Sequence, residues 1–301
     1  MTARLDWYGC ATFRLTLSGD LVVFLDAYID RVPGAAGPQP PQSAGDVDRA
    51  DWIVIGHSHF DHLWGAERIA QRTGATIVGS YETVRVMEAA GVPTQRLMPV
   101  AGGERIRLTD DVSVAVYPSL HSCVWTHLGM HPADEVCLGD LGVFHQERLA
   151  RFGDVQQYVA GLGSDTLAHL VASNQQALGD GGALLYLFDT PAGSLLYQDT
   201  SGHWSSMLHD LRPDVAILAA AGRGNVDGEP IQGSLAMFVA QQAALLRPRR
   251  VVLSHHDDWL PGFSTATDIE PIRAELARRL PRCELAELDY VDGYEVFAGL
   301  T

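Results

Sequence analysis

Short apolar runs alternate along the chain with polar loops and with stretches of helical composition. Residues 11–17 alternate apolar and polar side chains and residues 21–25 form a continuous apolar run, and both patterns are typical of strands. Residues 33–43, rich in Pro, Gly and Ala, predict a loop. Residues 52–55 form another short apolar run, which leads into Gly56 and a cluster of histidines. The N-terminal part of the chain therefore predicts β structure that delivers polar side chains at a strand end.

The rest of the chain alternates helices with strands. We predict helices at residues 63–72, 81–90, 147–158, 164–178, 234–246 and 268–280, and strands at residues 75–78, 104–108, 112–117, 184–188, 194–197, 215–219, 250–253 and 291–297. Residues 122–182 differ from their surroundings, because they carry several histidines and glycines and strong strands resume only at Ala183. We interpret residues 1–301 as a single domain in which 122–182 is an insertion, placed to form a lid or a pocket wall.

The histidine cluster is a compact set of metal-ligating side chains. It reads His57-Ser58-His59-Phe60-Asp61-His62, an HxHxDH pattern. Imidazole nitrogen and carboxylate oxygen are both zinc ligands. Alternate residues of a turn can face one way, so His57 and His59 can share one ion while Asp61 and His62 serve a second. Two sites need further ligands from distant strand ends, and the chain offers these at His121, Asp199 and His255.

These motifs resemble the metallo-β-lactamase-fold superfamily of hydrolases over nearly the whole chain. The resemblance is carried by the HxHxDH motif and by the segments YPSLHSC, LLYQDTSG and VVLSHHDDW, which contain His121, Asp199 and His255. The segments WYGCATFRL and LVVFLDAY most resemble the branch that includes L-ascorbate-6-phosphate lactonase and N-acyl-phosphatidylethanolamine phospholipase D. The chain departs from that branch at Cys10, where histidine is frequent, and at Asp26-Ala27, where Asp-Pro is frequent. Neither departure touches a predicted metal ligand.

The resemblance implies both a fold and a mechanism. The implied fold is an α/β four-layer αββα sandwich, with two mixed sheets packed together, helices outside and the metal site at one edge. The implied cofactors are two divalent ions, zinc first, with manganese or iron also compatible with His and Asp ligands. The two ions would share a water and lower its pKa, and so supply a hydroxide nucleophile. The implied catalytic residues are Asp61, which would also orient the nucleophile, and Asp199, which would bridge the ions.

Substrate-binding residues are predicted from their positions near this cluster. His203 follows Asp199 closely, and Arg223 and Asn225 lie in a Gly-rich loop after a strand. Trp64 could form a wall of the pocket, although a place in the core suits it equally. His256 competes with His255 as a ligand, and strand alternation favours His255. His127 and His131 are interpreted as solvated loop residues.

Composition narrows the function classes. The formal net charge of −16 disfavours binding to nucleic acid or to an anionic membrane surface, because both interactions depend on Lys and Arg. The four cysteines are sparse and lack CxxC spacing, so neither a disulfide scaffold nor a zinc finger is indicated. We see no signal peptide and no apolar run long enough to span a bilayer, which predicts a cytoplasmic protein. A homo-oligomer remains open.

Hydrolysis of a small-molecule ester, lactone or amide-type bond is the predicted reaction. The first alternative is phosphodiester hydrolysis on the same fold. The second is an iron-dependent redox member, and the third is a non-enzymatic metal-binding protein. The complete set of ligand types favours a hydrolase over the last two.

Overall fold

Two large mixed sheets form the centre of the molecule. The computed structural model describes residues 3–35, 39–123 and 144–300. The first sheet contains β1 (Arg4–Gly9), β2 (Thr12–Leu17), β3 (Leu21–Leu25), β4 (Trp52–Val54), β5 (Thr76–Gly79), β6 (Leu97–Pro99) and β17 (Tyr294–Glu295). The second contains β7 (Arg105–Arg107), β8 (Ser113–Pro118), β9 (Leu184–Thr190), β10 (Gly193–Gln198), β12 (Val215–Ala219), β15 (Arg250–Ser254) and β16 (Glu284–Ala286). A small third sheet joins β11 (Gly202–His203), β13 (Asn225–Val226) and β14 (Glu229–Pro230).

Helices connect and cover the sheets. They are α1 (Phe60–Leu63), α2 (Ala66–Thr73), α3 (Tyr81–Ala89), α4 (His145–Ala160), α5 (Ser164–Ser173), α6 (Ser205–Leu208), α7 (Leu235–Leu246) and α8 (Glu270–Arg279), and short 3-10 turns occupy Ser18–Asp20, Ala44–Asp46 and Thr94–Arg96. Ser80 caps α3 and Ser234 caps α7 through side-chain oxygens that accept backbone N–H groups. Within the described ranges, no helix is both long and apolar enough to cross a membrane.

Strand direction explains where functional side chains can collect. In the first sheet β3, β4, β5 and β6 run parallel, and in the second β10, β12, β15 and β16 run parallel. The remaining neighbours in both sheets pair antiparallel. In open α/β sheets, ligand sites form outside the carboxyl ends of parallel strands. The loops after β4, β10 and β15 are therefore placed to build a common site.

The core has the layers of an αββα sandwich. Side chains alternate between the faces of a strand, so Val54 packs between the two sheets while Ile53 packs on the outer side of the first sheet. That outer layer includes Ile69 of α2. Likewise Ile217 points between the sheets, and Leu218 packs outward in a cluster that includes residues of α7 and α8. The α/β, four-layer fold class is confirmed.

The predicted helix at 63–72 is split in two. The chain breaks at Gly65, whose φ of +124° is accessible mainly to glycine, and a Cβ there would lie 2.3 Å from the carbonyl oxygen of Ala27. The break lets α1 carry Asp61 and His62 toward the sheet edge while α2 covers the outer face of the first sheet.

Four other elements differ from the sequence pattern. The predicted helix at 164–178 ends at Ser173, because the following segment bonds instead to α3: Arg85 donates to the carbonyl of Gln176, and the N–H of Leu178 donates to Glu82. The predicted strand at 291–297 pairs only at Tyr294–Glu295. β6 and β16 were not predicted, because each is only three residues long and too short to show a periodic pattern.

The predicted insertion at 122–182 is described in part. Its helices α4 and α5 lie within the described ranges. His127, His131 and Cys137 lie outside the described residues. A single domain with an inserted segment remains our interpretation of the chain.

Candidate metal centre

Both sheets deliver side chains to one cluster at the sheet edge. His57 follows β4 after two residues, and His59, Asp61 and His62 lie in the turn and in α1 that come next. The second sheet supplies the other three: His121 follows β8, Asp199 directly follows β10, and His255 directly follows β15. The potential ligand atoms form three groups, each with its members within 4.8 Å of one another.

The first group contains three imidazoles. The ring centroids of His57, His59 and His121 lie 4.6–4.7 Å apart, and Nε2 of His57 lies 3.0 Å from Nδ1 of His59. Nδ1 of His121 lies 2.8 Å from the backbone carbonyl of Ser122, and this contact leaves Nε2 as the basic nitrogen of that ring. Three converging imidazoles are a donor set that can hold a metal ion.

The second group is centred on the carboxylate of Asp61. Its Oδ2 atom lies 3.3 Å from Nε2 of His62 and 3.2 Å from Nε2 of His255. The thiol of Cys10 belongs to the same group as Asp61 and His255. Asp61 therefore joins two histidines that come from different sheets.

The third group places Asp199 beside two of the histidines. Its Oδ2 atom lies 2.6 Å from Nδ1 of His57 and 3.3 Å from Nδ1 of His62. Oδ1 of the same carboxylate is buried and has no hydrogen-bond partner among the described residues. The carboxylate fits closely over Gly56, where a Cβ would lie 2.0 Å from Cγ of Asp199. Any larger residue at position 56 would displace this carboxylate.

Electrostatics favour neutral imidazoles in the first group. Burial, together with the neighbouring His62 and His59, holds the pKa of His57 well below its usual range. Burial and the nearby His121 lower the pKa of His59 to about 4. A protonated imidazole cannot bind a metal ion, so these two histidines are ready to act as ligands at neutral pH.

The surroundings of Asp61 and His62 favour the ionised carboxylate and the protonated imidazole. Burial alone would raise the pKa of Asp61, but His62 and His255 outweigh it and hold that pKa well below its usual range. Burial likewise opposes protonation of His62, whose pKa is nevertheless raised by the carboxylates of Asp61 and Asp26. A metal ion bound at Nε2 of His62 would take the place of that proton. Asp61 is therefore an ionised carboxylate in the cluster.

Asp26 orients His62 from behind the cluster. Its Oδ2 atom lies 2.5 Å from Nδ1 of His62 and accepts a 2.6 Å hydrogen bond from the hydroxyl of Tyr197, while Oδ1 accepts from the backbone N–H of Gly56. Asp26 is fully buried, and burial raises its pKa to about 6. Carboxylates that hold the second nitrogen of a metal-binding histidine fix its orientation and its basicity.

Asp26→Asn is expected to weaken metal binding at the cluster by about 10–100-fold, because His62 would lose the carboxylate that fixes its ring. The measurement is a competition titration with a chromophoric chelator, made on the purified variant. Asp189→Asn on the exposed end of β9 is the matched control and should bind metal as the parent does. Equal affinities for the Asp26 variant and the parent would contradict the orienting role.

The residues present fit a pair of divalent ions. Seven histidine and aspartate side chains, most of them buried, turn nitrogen and oxygen atoms toward one another. Oδ1 of Asp199 and Nδ1 of His255 are both buried without a partner among the described residues. Buried polar atoms are almost always satisfied, and buried charges are paired or coordinate metals. Bound cations account for this arrangement better than the protein alone does.

A cavity of about 620 Å³ opens onto the cluster. His59, Asp61, His121 and His255 form its floor. Much of its wall comes from the helices α4 and α5 with the segment after them and from the loop after β15, and the loops after β10 and β12 also contribute. The apolar wall residues include Val159, Leu167, Leu170, Trp259, Leu260 and Phe263.

The four predicted substrate-binding residues do not line this cavity. The ring of Trp64 packs beneath the guanidinium of Arg68, with 4.6 Å from its centroid to Cζ. His203 is buried against Phe238, with ring centroids 5.3 Å apart, because β11 turns it into the interior.

The remaining two, Arg223 and Asn225, hold backbone rather than facing the cavity. The guanidinium of Arg223 donates to the carbonyl of Ile231. Asn225 donates to the carbonyl of His121 at 2.9 Å and so supports a candidate ligand from behind. His256 stacks on Trp7, with ring centroids 4.7 Å apart, and is not part of the three groups.

Sequence reasoning missed three residues of this region. Asp26 directly follows β3 and was noted only for the Asp26-Ala27 pair, without a role in the site. Burial alone would raise the pKa of Asp180, but the nearby His121 and His59 outweigh it and lower that pKa. Gln175 lines the cavity, and its Oε1 atom is buried without a partner among the described residues. The last two lie in the segment after α5, where no periodic pattern marks a functional side chain.

Sequence comparison finds relatives that are named metal-dependent hydrolases. A UPF0173 metal-dependent hydrolase of Pyrobaculum arsenaticum is 33% identical over 153 residues, which are 51% of this chain and 64% of that protein. The chain thus matches less than two thirds of that relative's length.

Two solved structures share the fold. Igni18, a metallo hydrolase of Ignicoccus hospitalis, superposes with a TM-score of 0.62 at 15% identity and 98% coverage of both chains. CmlA, a diiron beta-hydroxylase of Streptomyces venezuelae, gives a TM-score of 0.58 at 14% identity and covers 98% of this chain and 54% of its own. The model of the beta-lactamase superfamily domain matches residues 22–197, more than half of the chain. With its strand-end histidines and aspartates and its two-sheet fold, the protein belongs to the beta-lactamase superfamily.

Proposed function

We propose that this protein is a dinuclear metal-dependent hydrolase that cleaves an ester, lactone or amide-type bond in an uncharged small molecule. The observation that carries the proposal is the mostly apolar cavity whose floor is formed by the candidate metal ligands. The relatives named metal-dependent hydrolases support the reaction class. We propose zinc as the metal in both sites, since nitrogen and oxygen ligands of this kind suit it.

The charge of the cavity supports an uncharged substrate. No arginine is found among the described residues that line it, and the chain contains no lysine. Proteins that recognise phosphate groups commonly use Arg or Lys for charge-assisted hydrogen bonds. Arg223, the cation that sequence reasoning placed near the site, donates to a backbone carbonyl instead. Phosphodiester hydrolysis is therefore less favoured than hydrolysis at a carbonyl group.

The chain's own residues would divide the work of hydrolysis. Bound divalent ions would lower the pKa of a water molecule and polarise the oxygen of the scissile group. Asp61 lies in the cavity floor as a carboxylate, so it can accept a hydrogen bond from the attacking water and orient it. Asp199 would help to hold the ions, because its Oδ1 atom is buried without a partner among the described residues. The amide of Gln175 is placed to bond a polar group of the substrate, while the apolar walls exclude water.

A redox enzyme or a non-enzymatic metal-binding protein would behave differently from a hydrolase. A diiron oxidation is chemistry that CmlA carries out on the same fold, and the fold alone does not exclude it. It would require iron and a reductant for turnover. The cavity of about 620 Å³ over the ligands favours a site that takes a small molecule as substrate over one that only binds metal. A cytoplasmic location and a homo-oligomeric state remain predictions.

Lactone turnover without phosphodiester turnover is the expected result of a paired assay. Zinc-loaded and manganese-loaded protein would be given a simple aliphatic lactone and bis(p-nitrophenyl) phosphate. We expect kcat/KM for lactones to rise with the length of an apolar side chain, by up to about 4-fold per buried methylene, because each contributes about 0.8 kcal/mol. Leu170→Ala in the cavity wall should reduce that dependence, and Leu178→Ala on an exposed surface should leave it unchanged.

Turnover of the phosphodiester alone would contradict the proposed substrate class. Turnover only with iron and a reductant would contradict hydrolysis itself. No turnover of any substrate, with two metal ions bound, would favour a non-enzymatic role.

A further inference from the structure

Cys10 lies inside the second ligand group and is held there by unusual backbone geometry. Its side chain is fully buried, and its Sγ atom lies within 4.8 Å of ligand atoms of both Asp61 and His255. Cys10 and His255 have φ angles of +48° and +61°. Such angles are uncommon for residues other than glycine, and residues held in them cluster at functional sites.

Direct hydrogen bonds fix Cys10 relative to His255. The backbone N–H of His255 donates to the carbonyl of Cys10 at 2.8 Å, and the same carbonyl accepts from the indole of Trp7. The backbone N–H of Cys10 donates to the carboxylate of Asp257 at 3.0 Å. Asp257 is itself held by Arg31 and by the hydroxyl of Tyr290. The turn at Cys10 and the loop after β15 thus form one rigid unit whose side chains converge on Asp61.

We infer that Cys10 is a protein ligand of the second metal ion, together with Asp61, His62 and His255. The inference rests on the proposed binding of that ion. Thiolate, imidazole and carboxylate are all zinc ligands, so the thiol of Cys10 is a suitable addition to this set. The first group has three histidines and therefore keeps room for a further ligand. The two sites would differ, because only the second would contain sulfur.

The sulfur ligand has a consequence for metal choice. Soft thiolate ligands favour zinc over manganese, whereas sites built only from nitrogen and oxygen ligands discriminate less. The second site should thus select zinc. Replacing Cys10 with serine should reduce the zinc-over-manganese preference of that site by at least about 10-fold. This is the size of the loss in metal affinity found when groups around metal ligands are replaced.

Cobalt substitution of the whole protein tests the inference directly. As Co²⁺ is titrated into the metal-free wild-type protein, we expect thiolate-to-cobalt charge-transfer absorption in the near ultraviolet. Cys10→Ser should lose this absorption, and Cys283→Ser, far along the chain between α8 and β16, should keep it. X-ray absorption of the zinc-loaded wild type should show a sulfur neighbour at about 2.3 Å, a result that requires no variant to fold.

The outcomes separate this inference from the proposed function. Wild-type protein that lacks both the absorption and the sulfur neighbour would overturn it. The thiol of Cys10 would then be a weak donor to the carbonyl of Asp61, from which its Sγ atom lies 3.7 Å away. If that protein still hydrolysed lactones, the proposed function would stand without Cys10. If the absorption appeared in protein that binds only one metal ion, Cys10 would be supported as a ligand and the dinuclear arrangement would be contradicted.

Discussion

Asp61→Asn is expected to lower kcat/KM by about 10²–10⁴-fold, the range found when a positioned acid or base is removed. The carboxylate joins His62 and His255 and lies in the cavity floor, so the amide would weaken metal binding and the orientation of water at once. Steady-state kinetics with metal in excess over protein, on a variant whose circular dichroism matches the parent, would measure the loss.

Asp210→Asn is the matched control for that experiment. Asp210 is exposed and its carboxylate lies 2.8 Å from Nδ1 of the equally exposed His209, so its replacement should change kcat/KM little. A variant at Asp61 that retained parental kcat/KM would remove Asp61 from the catalytic role. If Asp61→Asn lowered kcat/KM no more than Asp210→Asn does, a catalytic role for Asp61 would also be contradicted.

Removal of metal is expected to lower the free energy of unfolding by about 4 kcal/mol, if free metal in the loaded sample exceeds Kd by about 1,000-fold. Without cations, Oδ1 of Asp199 stays buried without a partner among the described residues, and the carboxylates of the cluster lie close together. Urea unfolding with and without a chelator, followed by reloading with zinc, would measure the change.

A variant with an incomplete site provides the control for metal removal. His121→Ala takes one imidazole from the first group and should reduce the effect of the chelator. Identical unfolding midpoints for the parent with and without chelator would contradict a metal site that contributes to stability. Recovery of the midpoint on reloading would exclude damage by the chelator itself.

The candidate ligands were predictable from sequence because metal chemistry restricts residue types. HxHxDH after an apolar strand has few other uses, and strand ends at one sheet edge are the places that could supply His121, Asp199 and His255. The core was predictable for a similar reason, since alternation along strands such as β4 assigns one face to each layer.

Residues whose roles depend on long-range contacts were not predictable. Asp26 meets His62 across 36 positions, and Cys10 meets His255 through a backbone hydrogen bond between distant turns. The prediction for His203 had the opposite basis, because it relied on a short distance along the sequence. His203 lies four positions after Asp199, but pairing of β11 with β13 turns its ring onto Phe238. Proximity in sequence gives no information on which side of a short strand faces a cavity.

The contribution of ligands by both sheets has a consequence for how the protein folds. His57 and His255 are almost 200 positions apart, and bound metal would act between them as a reversible cross-link. Bringing these two residues together removes conformational entropy from the unfolded chain. Because the metal cross-link exists only in the native state, it can form late in folding. Metal should therefore slow unfolding more than it speeds folding, provided the two sheets dock after the transition state. The loaded protein would then resist proteolysis for longer than its equilibrium stability alone suggests.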